Sequence, residues 1–408
     1  MHEPMARVNG TRLLQDLRRL AEFGKLGTGV DRVSFSQPDI EARAWLRERM
    51  SAAGLDAAID PVGNVRGVTR QSARAVVIGS HTDSVPKGGW LDGALGVIYG
   101  LEIARSRIEA GRAPALGVDV VSFQDEEGTY ASFLGSRSFC NDLDAKTMEG
   151  ARSQSGELLT DALRRAGYGG QPWRYDAARH VAYLEAHIEQ GPRLEAQARR
   201  IGIVTGIVGI RRFRIAAKGQ ADHAGTTPMA MRRDAARPLY EIAHRIHAEF
   251  PAVAGPDTVW NVGIVHVHPG AANVVPSEAD MVVEFRDTSA QLLDEIEALL
   301  RAWVAALDGR SGVKLEASGL TRIAPTLMAG RMETLIESAA AEHGAAAMSM
   351  PSGAGHDAMV VGRFMPAGML FIPSIGGRSH DIAENTDEKD IVLGCEVLAR
   401  VVEQLETA

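Results

Sequence analysis

This sequence predicts an α/β protein, in which a domain with a mostly parallel central sheet is interrupted by a smaller inserted α+β sandwich. Three observations lead there. Short apolar runs with β-branched centres alternate with helical periodicity in the first half of the chain, as in strands joined through helices. Between about residues 209 and 321 the texture changes to strands of period two, the mark of antiparallel sheets with one face buried. The length of 408 residues exceeds what one core usually fills, since single cores rarely grow past roughly 250–300 residues.

The elements follow in order. Leu13, Leu14, Leu17, Leu20 and Phe23 recur at helical spacing, and Gly24 supplies a stop. Ser36-Gln37-Pro38-Asp39 reads as a helix start, with Ser36 as N-cap and Asp39 answering it, and the helix runs to Gly54. Ala75 to Gly79 is a buried strand that delivers Ser80-His81. Asp92-Gly93 opens a helix that ends at Gly111. Val118 to Phe123 is a second buried strand, delivering Gln124-Asp125-Glu126-Glu127-Gly128. Val181 to Ile188 is a third, ending in His187-Ile188-Glu189-Gln190-Gly191-Pro192. In parallel sheets functional groups collect beyond the C-terminal strand ends.

The inserted segment begins with Phe213, Ile215 and Ala217 alternating with basic residues. A helix over about Asp234 to Phe250, strands at Val259 to Val267 and Met281 to Phe285, a helix over about Leu292 to Leu307 and a strand at Val313 to Ala317 complete it. That order resembles a split-βαβ, ferredoxin-like sandwich. It divides the chain into one domain of residues 1–208 and 322–408 and an inserted domain of residues 209–321. An apolar run, Met369 to Ile372, then leads into the loop Ser374 to His380.

The formal charge is -8, which argues against a nucleic-acid or anionic-membrane partner. Two cysteines far apart, Cys140 and Cys395, form no disulfide framework or thiolate site and fit a cytoplasmic location. Met1 to Gln15 is polar and charged, so no secretory signal is expected, and no apolar stretch approaches the ~20 residues of a membrane span.

The chemistry lies in five scattered metal-ligand candidates, His81, Asp92, Glu127, His187 and His380, with Glu126 beside one of them. They exceed what one zinc ion needs and suit two divalent ions sharing a carboxylate, a pattern that points to hydrolysis by an activated water. A ligating imidazole needs its second nitrogen held, and Asp83, two residues after His81, reads as the group that holds it. Asp92 is the bridging candidate because a carboxylate can touch two cations. A plain helix N-cap is the alternative. Glu127 ligates while Glu126 accepts a proton from water and passes it to the leaving nitrogen. A solvated acidic turn would explain that pair as well. His187 and His380 are weak signals taken singly. His244, His247, His266 and His268 lack glycine and carboxylate neighbours and read as structural, with His356 intermediate.

Gly79-Ser80-His81-Thr82-Asp83-Ser84-Val85, Gly88-Gly89, Asp92-Gly93 and Asp125-Glu126-Glu127-Gly128 resemble the two-metal amidohydrolases related to aminoacylases and dimetal exopeptidases. His187-Ile188-Glu189-Gln190-Gly191-Pro192, His223-Ala224-Gly225-Thr226-Thr227-Pro228-Met229 and Ser379-His380 followed by Glu384 narrow the resemblance. It becomes the branch of N-carbamoyl-L-amino acid hydrolases, allantoate amidohydrolases and β-ureidopropionases, and it runs from about Leu20 to Val402. Thr82 stands where Leu is common, and Thr129-Tyr130 where Arg-Phe is frequent, differences that bear on the substrate rather than the chemistry.

The resemblance implies a catalytic domain with an inserted lid and dimerisation domain, hence a homodimer. It implies two Zn²⁺, Mn²⁺, Co²⁺ or Ni²⁺ ions on His81, Asp92, Glu127, His187 and His380, with zinc favoured, and Glu126 as base. Gln190, Asn273, Arg286 and Gly355 would bind substrate, and His223 would reach the neighbouring subunit's site to polarise the scissile carbonyl. Arg286 has a physical case of its own as the fork for a substrate carboxylate, and so has Asn273 as a donor and acceptor in a loop. A salt bridge from Arg286 to Asp287 and a turn asparagine are the bland readings. The expected substrate is a ureido or carbamoyl derivative of a small carboxylic acid, foremost an N-carbamoyl-L-amino acid. Allantoate hydrolysis, a dipeptidase or aminoacylase, and a non-catalytic binding protein on the same fold are the rivals. The peptidase branch usually carries Asp where this chain has His187.

Overall fold

The structure is a computed structural model describing residues 7–111 and 115–407, so the first six residues of the polar N-terminal stretch lie outside the described residues. The chain forms two compact units, Met1–Thr205 with Met328–Ala408, and Gly206–Leu327.

The first unit is built on a mixed sheet. Its neighbours run Ile201–Ile207, Ala367–Ile372, His180–Ile188, Arg74–His81, Leu116–Phe123, Val65–Val68 and Asp56–Ile59. The four strands from Ala367–Ile372 to Leu116–Phe123 are mutually parallel, and the outer pairs are antiparallel. The parallel strands are apolar runs without alternation because both faces are covered. In Leu116–Phe123 every residue is buried. Helix Ala94–Glu109 is buried from Ala94 to Ser106, and its Val97, Leu101 and Ala104 share a core with Val76, Ile78, Leu184, Leu370 and Leu398. Each of these Val, Leu and Ile side chains contributes roughly 1.5–3 kcal/mol on full burial.

Sequence reading located the central strands, and the structure extends them by one or two residues. It passed over the half-buried strands Asp56–Ile59 and Val65–Val68, the strand Ile201–Ile207, and helices Gly330–Glu342 and Glu388–Thr407. The Ser36 start is real: Ser36 caps helix Gln37–Ala52 by accepting the Asp39 N–H. The Asp39 carboxylate does not answer at the cap residue. It accepts the Phe35 N–H and pairs at 2.8 Å with Arg43, both side chains fully buried.

The second unit carries a four-stranded antiparallel sheet in the order Val259–His268, Glu278–Asp287, Gly209–Lys218, Lys314–Ile323, with helices Ala236–Val253 and Ala290–Leu307. Strict alternation in Gly209–Lys218 and Glu278–Asp287 puts Phe213, Ile215, Met281, Val283 and Phe285 into one core with Leu239, Ile242, Leu293 and Ile296 from the helices. No helix among the described residues is long and apolar enough to cross a membrane.

Candidate metal centre

His81 ends strand Arg74–His81, and His187 is the penultimate residue of His180–Ile188. These strands are parallel neighbours with Ile78 opposite Leu184, so both imidazoles stand at the same sheet edge. Asp92 precedes helix Ala94–Glu109, whose N-cap is Gly93 with no side-chain cap bond. The Asp92 carboxylate is therefore not used as a cap. Gly93 adopts φ +64, and a Cβ there would lie 2.4 Å from the His81 ring, so this position combines a left-handed backbone with close approach. Glu126 and Glu127 follow Asp125, itself at φ 57. The Asp125 carboxylate accepts the N–H groups of Thr129, Tyr130 and Ala131 and so closes the turn.

The five predicted ligands converge, and Asp92 stands between them. His187 Nε2 lies 3.0 Å from Asp92 Oδ1, and His81 Nε2 lies 3.8 Å from the same oxygen. His380 Nε2 lies 3.4 Å from Asp92 Oδ2 and 3.6 Å from Glu127 Oε1. Two groups of three donors result, His81-Asp92-His187 and Asp92-Glu127-His380, with the donor atoms of each within 4.8 Å of one another. Glu126 falls in a third such group with His81 and Glu127, its Oε2 3.6 Å from His81 Nε2.

The donor set fits divalent cations. His81 Nδ1 lies 2.9 Å from the Asp83 main-chain oxygen, and His187 Nδ1 lies 2.9 Å from the Ile188 main-chain oxygen. A carbonyl only accepts, so both Nδ1 atoms carry a proton and both Nε2 atoms are turned toward the carboxylates, with the Gly93 N–H also 3.0 Å from His187 Nε2. An imidazole nitrogen facing a carboxylate oxygen is held there by positive charge between them, a proton or a bound cation. Among the described residues, the buried Oε1 atoms of Glu127 and Gln190 find no hydrogen-bond donor. Burial, then the charges of Asp92 and Asp83, push the Glu127 carboxyl up to about 10. Burial, then the charge of Glu127, holds Glu126 well above the usual carboxylate range. Burial works to raise Asp92 too, but the hydrogen bond and charge of His187 hold it below that range. The protein alone thus gathers more carboxylates than it can keep ionised, and oxygen and imidazole donors without thiolate suit Zn²⁺, Mn²⁺, Co²⁺ or Ni²⁺.

Asp83 holds the His81 ring through its main chain, which corrects the carboxylate role expected of it. Its side chain is 4.0 Å from His81 Nδ1 and instead accepts the Glu127 N–H at 3.3 Å and faces Arg43 at 3.4 Å. Gln190 is placed at the centre: its amide nitrogen lies 3.4 Å from both Asp92 oxygens, 3.4 Å from His380 Nε2 and 3.1 Å from Ser379 Oγ. Gly355 precedes His356, whose ring lies 4.5 Å from that of His187 and whose Nε2 meets Ser352 Oγ at 2.9 Å.

Within the second unit, His223 and Asn273 belong to loops that pair with each other. His223 bridges Val274, and the Ala224 N–H donates to the Asn273 main-chain oxygen. Both side chains are exposed. Arg286 meets Glu284 of its own strand, Nη2 to Oε1 at 2.7 Å. His247 and His266 meet Trp260 and Asp280, and no metal-capable group among the described residues includes them.

Sequence reading gave no role to two buried carboxylates at this edge. Glu185 accepts the Ser80 hydroxyl and the Ala358 N–H, and its place on the His187 strand was the available signal. Glu384 accepts the N–H groups of Leu91 and Asp92.

A family model described as Peptidase family M20/M25/M40 matches residues 77–404. The chain belongs to this family. It is 36% identical to the N-carbamoyl-L-amino acid amidohydrolase of Geobacillus stearothermophilus, with 98% of this chain and 99% of that one covered. It is 32% identical to the allantoate amidohydrolase of Bacillus subtilis over 95% of both chains. The solved structure of an amidase of the hydantoinase/carbamoylase family from Burkholderia phymatum superposes with a TM-score of 0.93 at 48% identity, covering 99% of each chain. The chemistry of this M20/M25/M40 member is that of an amidohydrolase, cleavage of a carbon–nitrogen bond by water.

Proposed function

We propose that this chain hydrolyses the ureido group of an N-carbamoyl-L-amino acid. One water is consumed, and the amino acid, ammonia and carbon dioxide are released. The observation that carries the reading is the pair of three-donor groups sharing Asp92, one of which contains His187. Near full-length similarity to an N-carbamoyl-L-amino acid amidohydrolase supports the same substrate class.

His81, Asp92 and His187 would hold one divalent ion, and Asp92, Glu127 and His380 the other. Bound there, the ions supply Lewis acidity to the ureido carbonyl and draw the pKa of water toward neutrality. Glu126 accepts the proton of the attacking water and returns it to the leaving nitrogen. Gln190 and Gly355 line the substrate site, Asn273 positions the substrate, and Arg286 holds its carboxylate by a charge-assisted fork. Glu284 keeps that guanidinium in place until substrate arrives. The unit Gly206–Leu327 serves as lid and dimerisation domain, and His223 enters the partner's site to polarise the carbonyl. The exposure of His223 and the pairing of its loop with that of Asn273 support this. The buried free thiols of Cys140 and Cys395 accord with a cytoplasmic setting.

Allantoate is the second reading, favoured by the 32% identity to an allantoate amidohydrolase. Ammonia release from carbamoyl amino acids, allantoate, β-ureidopropionate and dipeptides, each with enzyme loaded with zinc, manganese, cobalt or nickel, separates them. Turnover of carbamoyl-L-amino acids above all others is expected. Preference for allantoate replaces the first reading with the second, and peptide cleavage without ureide turnover rejects both.

A further inference from the structure

We propose that Glu384 is a positioning residue that fixes the Asp92 loop and the His380 loop together, so that the two ion positions form as one unit. The inference rests on the two-ion reading above and adds a residue to which that reading gives no part. Glu384 is 1% exposed. Its Oε1 accepts main-chain N–H groups from Leu91 at 3.2 Å and Asp92 at 3.1 Å. Its Oε2 accepts the Ser379 hydroxyl at 2.9 Å, and Ser379 Oγ in turn accepts the Gln190 amide at 3.1 Å. One carboxylate therefore ties the backbone of the shared ligand to the residue preceding the exposed ligand His380.

The fit is close on the loop side. A Cβ on Gly89 would lie 1.9–2.3 Å from the Glu384 carboxylate atoms, so the Gly88-Gly89 turn passes directly over it. Both oxygens are occupied by donors from the chain, and Glu384 belongs to none of the metal-capable donor groups among the described residues. Its role is geometric. His380 is half exposed and sits at φ 55, a conformation that costs a non-glycine residue energy and persists only where the surroundings impose it. The Ser379–Glu384 bond is the restraint next to it.

The test is equilibrium binding of Zn²⁺ and Mn²⁺ to chelator-stripped protein, followed by calorimetry without substrate. Wild type is expected to bind two ions per chain, and fewer than two would reject the underlying two-ion reading whatever the variants do. Given two, Glu384→Ala is expected to lose roughly 10–100-fold in affinity at both positions, the usual effect of removing a group that orients a ligand. Glu384→Gln keeps an acceptor for the loop N–H groups and an amide for Ser379, and is expected to recover most of the loss. Ser379→Ala, a small change that spares the Asp92 loop, is expected to weaken one ion and leave the other at wild-type affinity. Unchanged binding in Glu384→Ala or in Ser379→Ala overturns the proposal. So does a Gln variant as impaired as the Ala variant, since charge rather than geometry would then be at work. Should Glu384→Ala fail to fold, judged by the melting of its stripped form, the Gln and Ser379 variants decide alone.

Discussion

His187 Nε2 lies 3.0 Å from Oδ1 of Asp92, while the other Asp92 oxygen faces His380 at 3.4 Å. A carboxylate whose two oxygens address one histidine from a strand and another from a loop is the geometry of a shared ligand. It organises what the site is expected to do.

Glu126 stands in a metal-capable group yet is assigned proton transfer. Glu126→Gln should lower kcat by roughly 10²–10⁴-fold, the usual contribution of general acid–base catalysis, and still bind two ions. Rapid-quench turnover with calorimetry on the same sample checks this. Loss of an ion would make Glu126 a ligand instead of a base.

Arg286→Ala should raise KM for carbamoyl amino acids roughly 10–100-fold. That corresponds to ~1.5–3 kcal/mol for a hydrogen bond to a charged group. Ion binding should be untouched. An unchanged KM would mean that the ion pair with Glu284 is all that Arg286 does.

Mixed dimers test the shared-site role of His223. Glu126→Gln and His223→Ala chains, each inactive alone, should recover about a quarter of wild-type activity when unfolded and refolded together at equal amounts. Random pairing makes half the dimers mixed, and each mixed dimer restores one complete site. No recovery would place His223 in its own chain's site or outside the chemistry.

Chelation should make stability fall with rising pH. The folded-state Glu127 carboxyl is pushed from an ordinary value of 4.5 up to about 10, first by burial and then by Asp92. Between those values the folded chain holds a proton that the unfolded chain releases, so the slope of stability against pH is negative. Glu384, pushed to about 8 by burial and then by Asp92, acts in the same direction. The melting midpoint of stripped protein should therefore drop from pH 5 to pH 9, and divalent ions should restore more as pH increases. A flat profile without metal would contradict the carboxylate crowding.

Much of this was legible in the chain, and the reasons differ by element. Buried parallel strands announce themselves as β-branched apolar runs, and glycines and carboxylates at their ends marked His81, Asp92 and Glu127. The strands Asp56–Ile59 and Val65–Val68 are short and half-buried, with too few apolar positions to establish a period. Glu384 was visible as a residue but not as a clamp, because its partners are main-chain N–H groups almost three hundred positions away, and no side-chain pattern records them. Asp83 illustrates the same limit: the right residue holds His81, through an oxygen that every residue possesses. Asp39 read as a cap partner because spacing was the only information, whereas the fold places it against Arg43.

The most direct measurement is the ion stoichiometry of an Asp92→Asn variant, by equilibrium titration of stripped protein beside wild type. A carboxylate shared by both positions predicts that neither ion binds at wild-type affinity once one of its oxygens becomes an amide. One ion retained at full affinity, with only the other lost, would contradict the shared centre.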